Sequence, residues 1–173
     1  VKQDYRAAHR WYGQAARQGN VAGQSKLGIM YYYGLGVEEN PAEAVQWFLK
    51  AAEQGDPESA LVLGMLYEQG DDGVPCQPAE AYLWYSIAAD LGKQDAEISR
   101  LKLLEELSPA VTTATLTRLN AWRERHGELL PKPQGGHRAA ETAPSTAGQA
   151  LPDRKSRSSG HGQHGKGAAH SPK

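Results

Sequence analysis

The chain has 173 residues, a single cysteine and a net charge of −1, which is long enough for one domain with a real core. It contains no run of about 18 or more apolar residues, so nothing in it reads as a membrane span. One cysteine supports neither an internal disulfide nor a cysteine-based metal cluster. The near-neutral total conceals a division: residues 1–126 carry 12 Lys/Arg against 17 Asp/Glu, and residues 127–173 carry 7 against 3.

The first residues, VKQDYRAAHRW, read as a polar helix and not as a charged segment followed by an apolar one, so no signal peptide is visible. The compartment stays open: cytoplasm if Val1 is the native start, periplasm if an export signal precedes it. Apolar residues recurring three and four apart predict helices over 4–18, 21–33, 41–54, 57–69, 78–91, 94–107 and 109–126. Asn40-Pro41-Ala42-Glu43 supplies an N-cap, a proline at the first helical position and a capping-box carboxylate. Asp56-Pro57 and Ser108-Pro109 open helices in the same way, and Gly55 stands where a left-handed residue closes one. From Gly127 onward no Phe, Trp or Tyr occurs, and the few leucines show no period. Such a segment cannot bury enough apolar surface to offset the entropy of ordering it, so 127–173 is expected to be a disordered, basic, low-complexity tail.

The helices repeat. Trp11, Trp47 and Trp84 stand 36 and then 37 residues apart, and Ala15-Ala16, Ala51-Ala52 and Ala88-Ala89 keep those spacings. Gly19, Gly55 and Gly92 do the same, while Leu27-Gly28 and Tyr31 return as Leu63-Gly64 and Tyr67. The added residue falls where Gly34-Leu35-Gly36-Val37 becomes Gly70-Asp71-Asp72-Gly73-Val74, a corner at which an insertion costs little. LGIMYYYGLGVEENPAEAVQWFLKAAEQG and LGMLYEQGDDGVPCQPAEAYLWYSIAADLG are two copies of one unit.

This unit, L-G-x-x-Y followed by A-x-x-W-[YF]-x-x-A-A-x-x-G, resembles the Sel1-like repeats, relatives of the tetratricopeptide repeats, over roughly residues 5–105. The resemblance implies an all-α protein, a right-handed α-solenoid of antiparallel helix pairs acting as an adaptor or scaffold for other proteins. The parts would be a partial first repeat at 4–19, repeats at 20–55 and 56–92, and capping helices over 94–126. In the cap, Ile98, Leu101, Leu104 and Leu107 are expected to face inward and Lys102, Glu105 and Glu106 outward, the polar outer face a solenoid end needs. The segment 4–18 is a second helix without its first, so the N-terminal edge is expected to pack on upstream repeats or on a partner.

Leu27, Tyr31, Trp47, Phe48 and Ala51 read as packing positions, leaving other positions of the first helices free for function. These are Ser25, Ile29, Tyr32 and Tyr33, and in the next repeat Leu61, Met65, Glu68 and Gln69. The resemblance implies that they line a concave groove. Exposed tyrosines suit partner contact, and Glu68, Glu105 and Glu106 would favour a basic or amphipathic peptide or helix. No cofactor, metal or specific nucleic acid is expected of the body: Gly34-Leu35-Gly36 follows a helix and lacks the rest of a phosphate loop. Nothing resembles an activated nucleophile, and one cysteine does not support the β-lactam chemistry associated with cysteine-rich Sel1-like proteins. The alternative to an adaptor is a tail that binds metal through His161, His164 and His170, or a polyanion through residues 154–157, RKSR.

Overall fold

The computed structural model describes residues 4–132, which follow one another as α1 (Tyr5–Arg17), α2 (Val21–Tyr32), α3 (Pro41–Glu53), α4 (Pro57–Gln69), α5 (Pro78–Asp90), α6 (Gln94–Glu106) and α7 (Pro109–Arg125). The metal and polyanion expectations for the tail lie outside the described residues. Helix starts form as their sequences dictate. Asn20 accepts from the Gly23 amide at 2.8 Å, Asn40 from Glu43 at 2.9 Å and Asp56 from Ser59 at 3.0 Å, each satisfying an amide that the first turn leaves free. The capping box at Asn40 is only half made. Glu43 accepts from the Trp47 indole at 3.0 Å, and the Asn40 amide donates instead to the Tyr31 carbonyl at 2.8 Å. At the other end, Gly55 adopts φ +90°, which lets the Asp56 amide reach back to the Ala51 carbonyl at 3.1 Å.

Consecutive helices pack antiparallel, α2 on α3 and α4 on α5 most extensively. The contact that sets this approach is a glycine under an aromatic ring. A Cβ at Gly28 would stand 2.8 Å from the Phe48 ring, and one at Gly64 would stand 2.5 Å from that of Tyr85. Both rings are buried. The core runs on through Ala44, Val45, Leu63, Leu66, Tyr82 and Ile87, and each large side chain buried there contributes about 1.5–3 kcal/mol.

The pattern breaks at α6. Leu101 replaces the glycine that would receive the next ring, and α7 packs chiefly on α5. The sequence of α5 prepares that surface: Gln46 and Lys50 of α3 are replaced by Leu83 and Ile87, and residues 81–88 of α5 are all buried. From α7, Thr115, Leu119 and Trp122 are buried, and Trp122 lines one small cavity with Leu83, Trp84 and Ile87. Arg118 pairs with Glu80, and Arg123 with Asp90 at 2.6 and 2.8 Å. Such partly exposed pairs contribute about 0.2–1 kcal/mol each, so the indoles and leucines carry the docking.

One expectation is overturned here. Ile98 is 75% exposed and Leu101 48% exposed, and Leu104 is exposed as well; Ala96 and Leu103 face inward in their place, with Leu107 half-buried. The outer face of α6 is therefore apolar beside its charges, and not a polar cap. A short segment after α7 packs back on the body. Leu130 packs against the core, and Leu129 lies where a Cβ on Gly55 would be 3.1 Å away.

Candidate functional site

The groove between α2 and α4 brings together five of the eight residues singled out from the sequence. A cavity of about 260 Å³ is walled by Ile29, Tyr32 and Tyr33 from one helix and Met65 and Gln69 from the other. Its floor is Phe48, Val62 and Leu66. The floor residues carry the packing period of the repeat, which is why sequence reasoning assigned Phe48 to the core alone; the cavity exists because packing side chains also form its base.

Tyr33 ends α2, its amide donating to the Ile29 carbonyl at 3.1 Å, and its ring is 64% exposed. The ring meets that of Tyr32 edge-on at 4.9 Å, a favoured geometry for two aromatic quadrupoles. Tyr32 is half-buried. Burial first, and then the Asp71 carboxylate, pushes its hydroxyl above the ordinary tyrosine value, so at neutral pH it is a donor. Met65 is exposed, which places a deformable thioether beside two rigid rings.

The other three residues do not join the cavity. Ser25 is half-buried, and Leu61 is half-buried against the core. Glu68 is engaged within the fold: it accepts from the Tyr85 hydroxyl at 2.6 Å and lies 3.3 Å from the Lys102 ammonium. Its charge is not free to attract a basic ligand, and that expectation passes to exposed Glu105 and Glu106.

A second cavity, of about 320 Å³, lies between α1 and α2. Tyr5, Ala8 and Tyr12 form one side, and Lys26, Ile29 and Met30 the other. Of these, the sequence had singled out Ile29 alone. Tyr12 stands 36 residues before Phe48 and 73 before Tyr85, and that register is the feature that could have found it. Among the described residues no group of three or more His, Cys, Asp or Glu could hold a metal ion, and no helix is long and apolar enough to cross a membrane. Cys76 is exposed at a corner, with its sulfur 3.1 Å from the Glu68 carbonyl.

The family model of the Sel1 repeat matches residues 1–20, 21–56 and 57–93. The chain belongs to the Sel1 repeat family. A solved Sel1 repeat protein from Oxalobacter formigenes is similar at 36% identity and a TM-score of 0.54, over 58% of this chain and 41% of that one. A protective antigen present in uropathogenic Escherichia coli strains, displaying an SLR fold, is 22% identical with a TM-score of 0.38, over 73% of this chain and 35% of that one. The chain thus matches less than half the length of either structure. No curated protein matches. Sel1 repeat proteins generally mediate interactions between proteins.

Proposed function

We propose that this Sel1 repeat chain is a non-enzymatic interaction module that holds a peptide or helix of a protein partner on a concave face, in the α2–α4 groove. The observation that carries the reading is the pairing of exposed Tyr33 and Met65 over the apolar floor of Phe48, Val62 and Leu66. A rigid aromatic with a polar tip beside an adaptable thioether is the composition of a contact that dominates binding energy. Asp71 sets a carboxylate beside Tyr32 at the edge of this apolar centre, and Glu105 and Glu106 are exposed further along on α6. The matching ligand is an amphipathic segment with apolar anchors and basic flanks.

Affinity capture from the native cell tests this, with the Tyr33→Ala/Met65→Ser variant as control. Both side chains are exposed, so the melting temperature is expected to stay within about 3 °C while partner recovery falls about tenfold or more. Removal of residues 133–173 is expected to leave recovery intact. Equal recovery by the variant, or loss on tail removal alone, would sink the reading.

A further inference from the structure

Successive first helices carry Ile29, Met65 and Lys102 at one position, and Tyr32, Glu68 and Glu105 three residues further on. Between α4 and α6 the fold completes an ion pair from these positions. The Lys102 ammonium lies 3.3 Å from the Glu68 carboxylate, which also accepts from the Tyr85 hydroxyl at 2.6 Å. Between α2 and α4 the same positions hold Met65, which brings no charge, and Tyr32. A carboxylate still reaches this place, from Asp71 in the corner Gly70-Asp71-Asp72-Gly73-Val74 that carries the added residue.

The corner holds that carboxylate in position. Gly70 and Gly73 adopt φ of +71° and +74°, and Asp71 and Val74 exchange backbone hydrogen bonds of 2.8 and 2.9 Å. One oxygen of the Asp71 carboxylate accepts from the Asp72 amide at 2.8 Å, so the side chain is oriented before any ligand arrives. Asp71 is exposed and stands two residues beyond Gln69, a wall of the 260 Å³ cavity. Among the described residues no cation pairs with it. Between Lys26 and Lys93 the chain has eleven Asp/Glu against one basic residue, Lys50, whose ammonium lies 4.0 Å above the Trp47 ring.

On the reading of the α2–α4 groove as the ligand site, we propose that the partner supplies the cation as an arginine. Its guanidinium pairs with Asp71 and lies against the Tyr33 ring, which is 64% exposed, while a large aliphatic side chain one helical turn away fills the cavity. Arginine suits this place better than lysine. A guanidinium is planar and weakly hydrated, stacks on an aromatic face, and keeps in-plane donors for a carboxylate while stacked. The spacing follows from the helix, on which residues three or four apart share a face. The added residue of the corner thereby gains a role: it brings to the groove the charge that Met65 does not.

The probe is a fluorescein-labelled, alanine-based helical peptide with one leucine and one arginine four residues apart, made in both orders and titrated into the full-length chain. In the better order, anisotropy is expected to show saturable binding. The methyl resonance of Met65, one of two methionines, should move while that of buried Met30 stays. Exchange of the arginine for lysine is expected to weaken binding about threefold, and for citrulline, its uncharged isostere, about fivefold, the range of a partly exposed pair. Asp71→Asn, which keeps an acceptor for the Asp72 amide, should weaken the arginine peptide about fivefold and leave the citrulline peptide unchanged. Asp72→Asn removes the same charge one residue away and should change neither. Tyr33→Leu should erase the preference for arginine over lysine. The inference is overturned by absence of saturable binding, by equal binding of the arginine and citrulline peptides, by equal losses from Asp71→Asn and Asp72→Asn, or by an arginine preference that survives Tyr33→Leu. Exchange of the peptide's leucine for alanine separates this inference from the reading beneath it. If that exchange abolishes binding while arginine and citrulline peptides bind alike, the groove stands and the arginine site fails. If it changes nothing and Met65 does not move, the groove reading fails and the arginine site with it.

Discussion

Trp11 and Trp84 occupy the same position of the same repeat, yet one is 74% exposed and the other 5%. The repeat fixes which side of its helix each indole points to; what lies on that side is supplied from elsewhere. For Trp84 it is supplied by α7, drawn there by Leu83 and Ile87 and kept off α6 by Leu101. Trp47 stands between the two, half-buried, with its indole bonded to Glu43 and the Lys50 ammonium 4.0 Å above its ring. A repeat position is therefore a statement about direction, and burial is a separate property set by the neighbours.

The largest expected effect tests that separation directly. Trp84→Ala is expected to cost about 3–5 kcal/mol, the range for a large aromatic removed from a core, and Trp11→Ala within about 0.5 kcal/mol. Urea unfolding of both variants decides the matter, and a Trp11→Ala cost above about 2 kcal/mol would show that this indole is covered in solution. The next contrast is between the two ends of the glycine series. Gly64→Ala gains about 1 kcal/mol of helix propensity, but its Cβ meets a buried ring held by Glu68. Overpacking of that kind costs about 1–3 kcal/mol or more, so a net loss is expected. Leu101→Ala, at an exposed site with no ring to meet, should stay within about 0.5 kcal/mol. A stabilising Gly64→Ala would mean that α4 and α5 can separate without penalty.

The smallest effect concerns pH. Burial first, and then its bond to Glu68, pushes the Tyr85 hydroxyl well above the ordinary tyrosine value. The unfolded chain releases this proton near pH 10, whereas the folded chain retains it. Stability from this group is fully present below about pH 10 and declines as pH rises from there toward the folded value. Tyr85→Phe removes that part of the decline, and the counterpart position of the preceding repeat holds a phenyl ring, Phe48, over its own glycine. Melting curves for both proteins between about pH 8 and 11 should converge at the alkaline end; parallel curves would sink the attribution.

How much of this was legible depended on whether a residue's role is local. Asn40-Pro41 and Asp56-Pro57 announce helix starts through bonds that span three residues, and all seven helices begin and end within a residue of their expected places. The α2–α4 groove was legible through Ile29, Tyr32, Tyr33, Met65 and Gln69 because they fall off the packing stripe. The fate of Glu68 was not, since it depends on Tyr85 and Lys102, 17 and 34 residues away. The inward face of α6 was misassigned because Ile98, Leu101, Leu104 and Leu107, three apart, suggest a stripe of their own. Counting in repeat register instead makes Leu103 the counterpart of Met30 and Leu66, all three buried. The same counting exposes the change from Gln46 and Lys50 to Leu83 and Ile87, and a helix apolar on every side is one that will be covered on every side.

The path of α7 alters how the array behaves as a spring. In a plain solenoid each unit touches only the next, so bending is shared evenly along the stack. Here the end of α7 reaches back across a unit boundary: His126 lies 3.3 Å from Glu53, and Leu129 sits against Gly55 at the turn from α3 to α4. That brace joins the end of α3 to α7 independently of α4, whereas α1 and α2 are tied to their neighbours through Gln24, which donates to the Ala16 carbonyl and accepts from Gln54 at 2.7 Å. Among the described residues, bending is expected to fall more on the α1–α2 side of Gly55 than on the braced side.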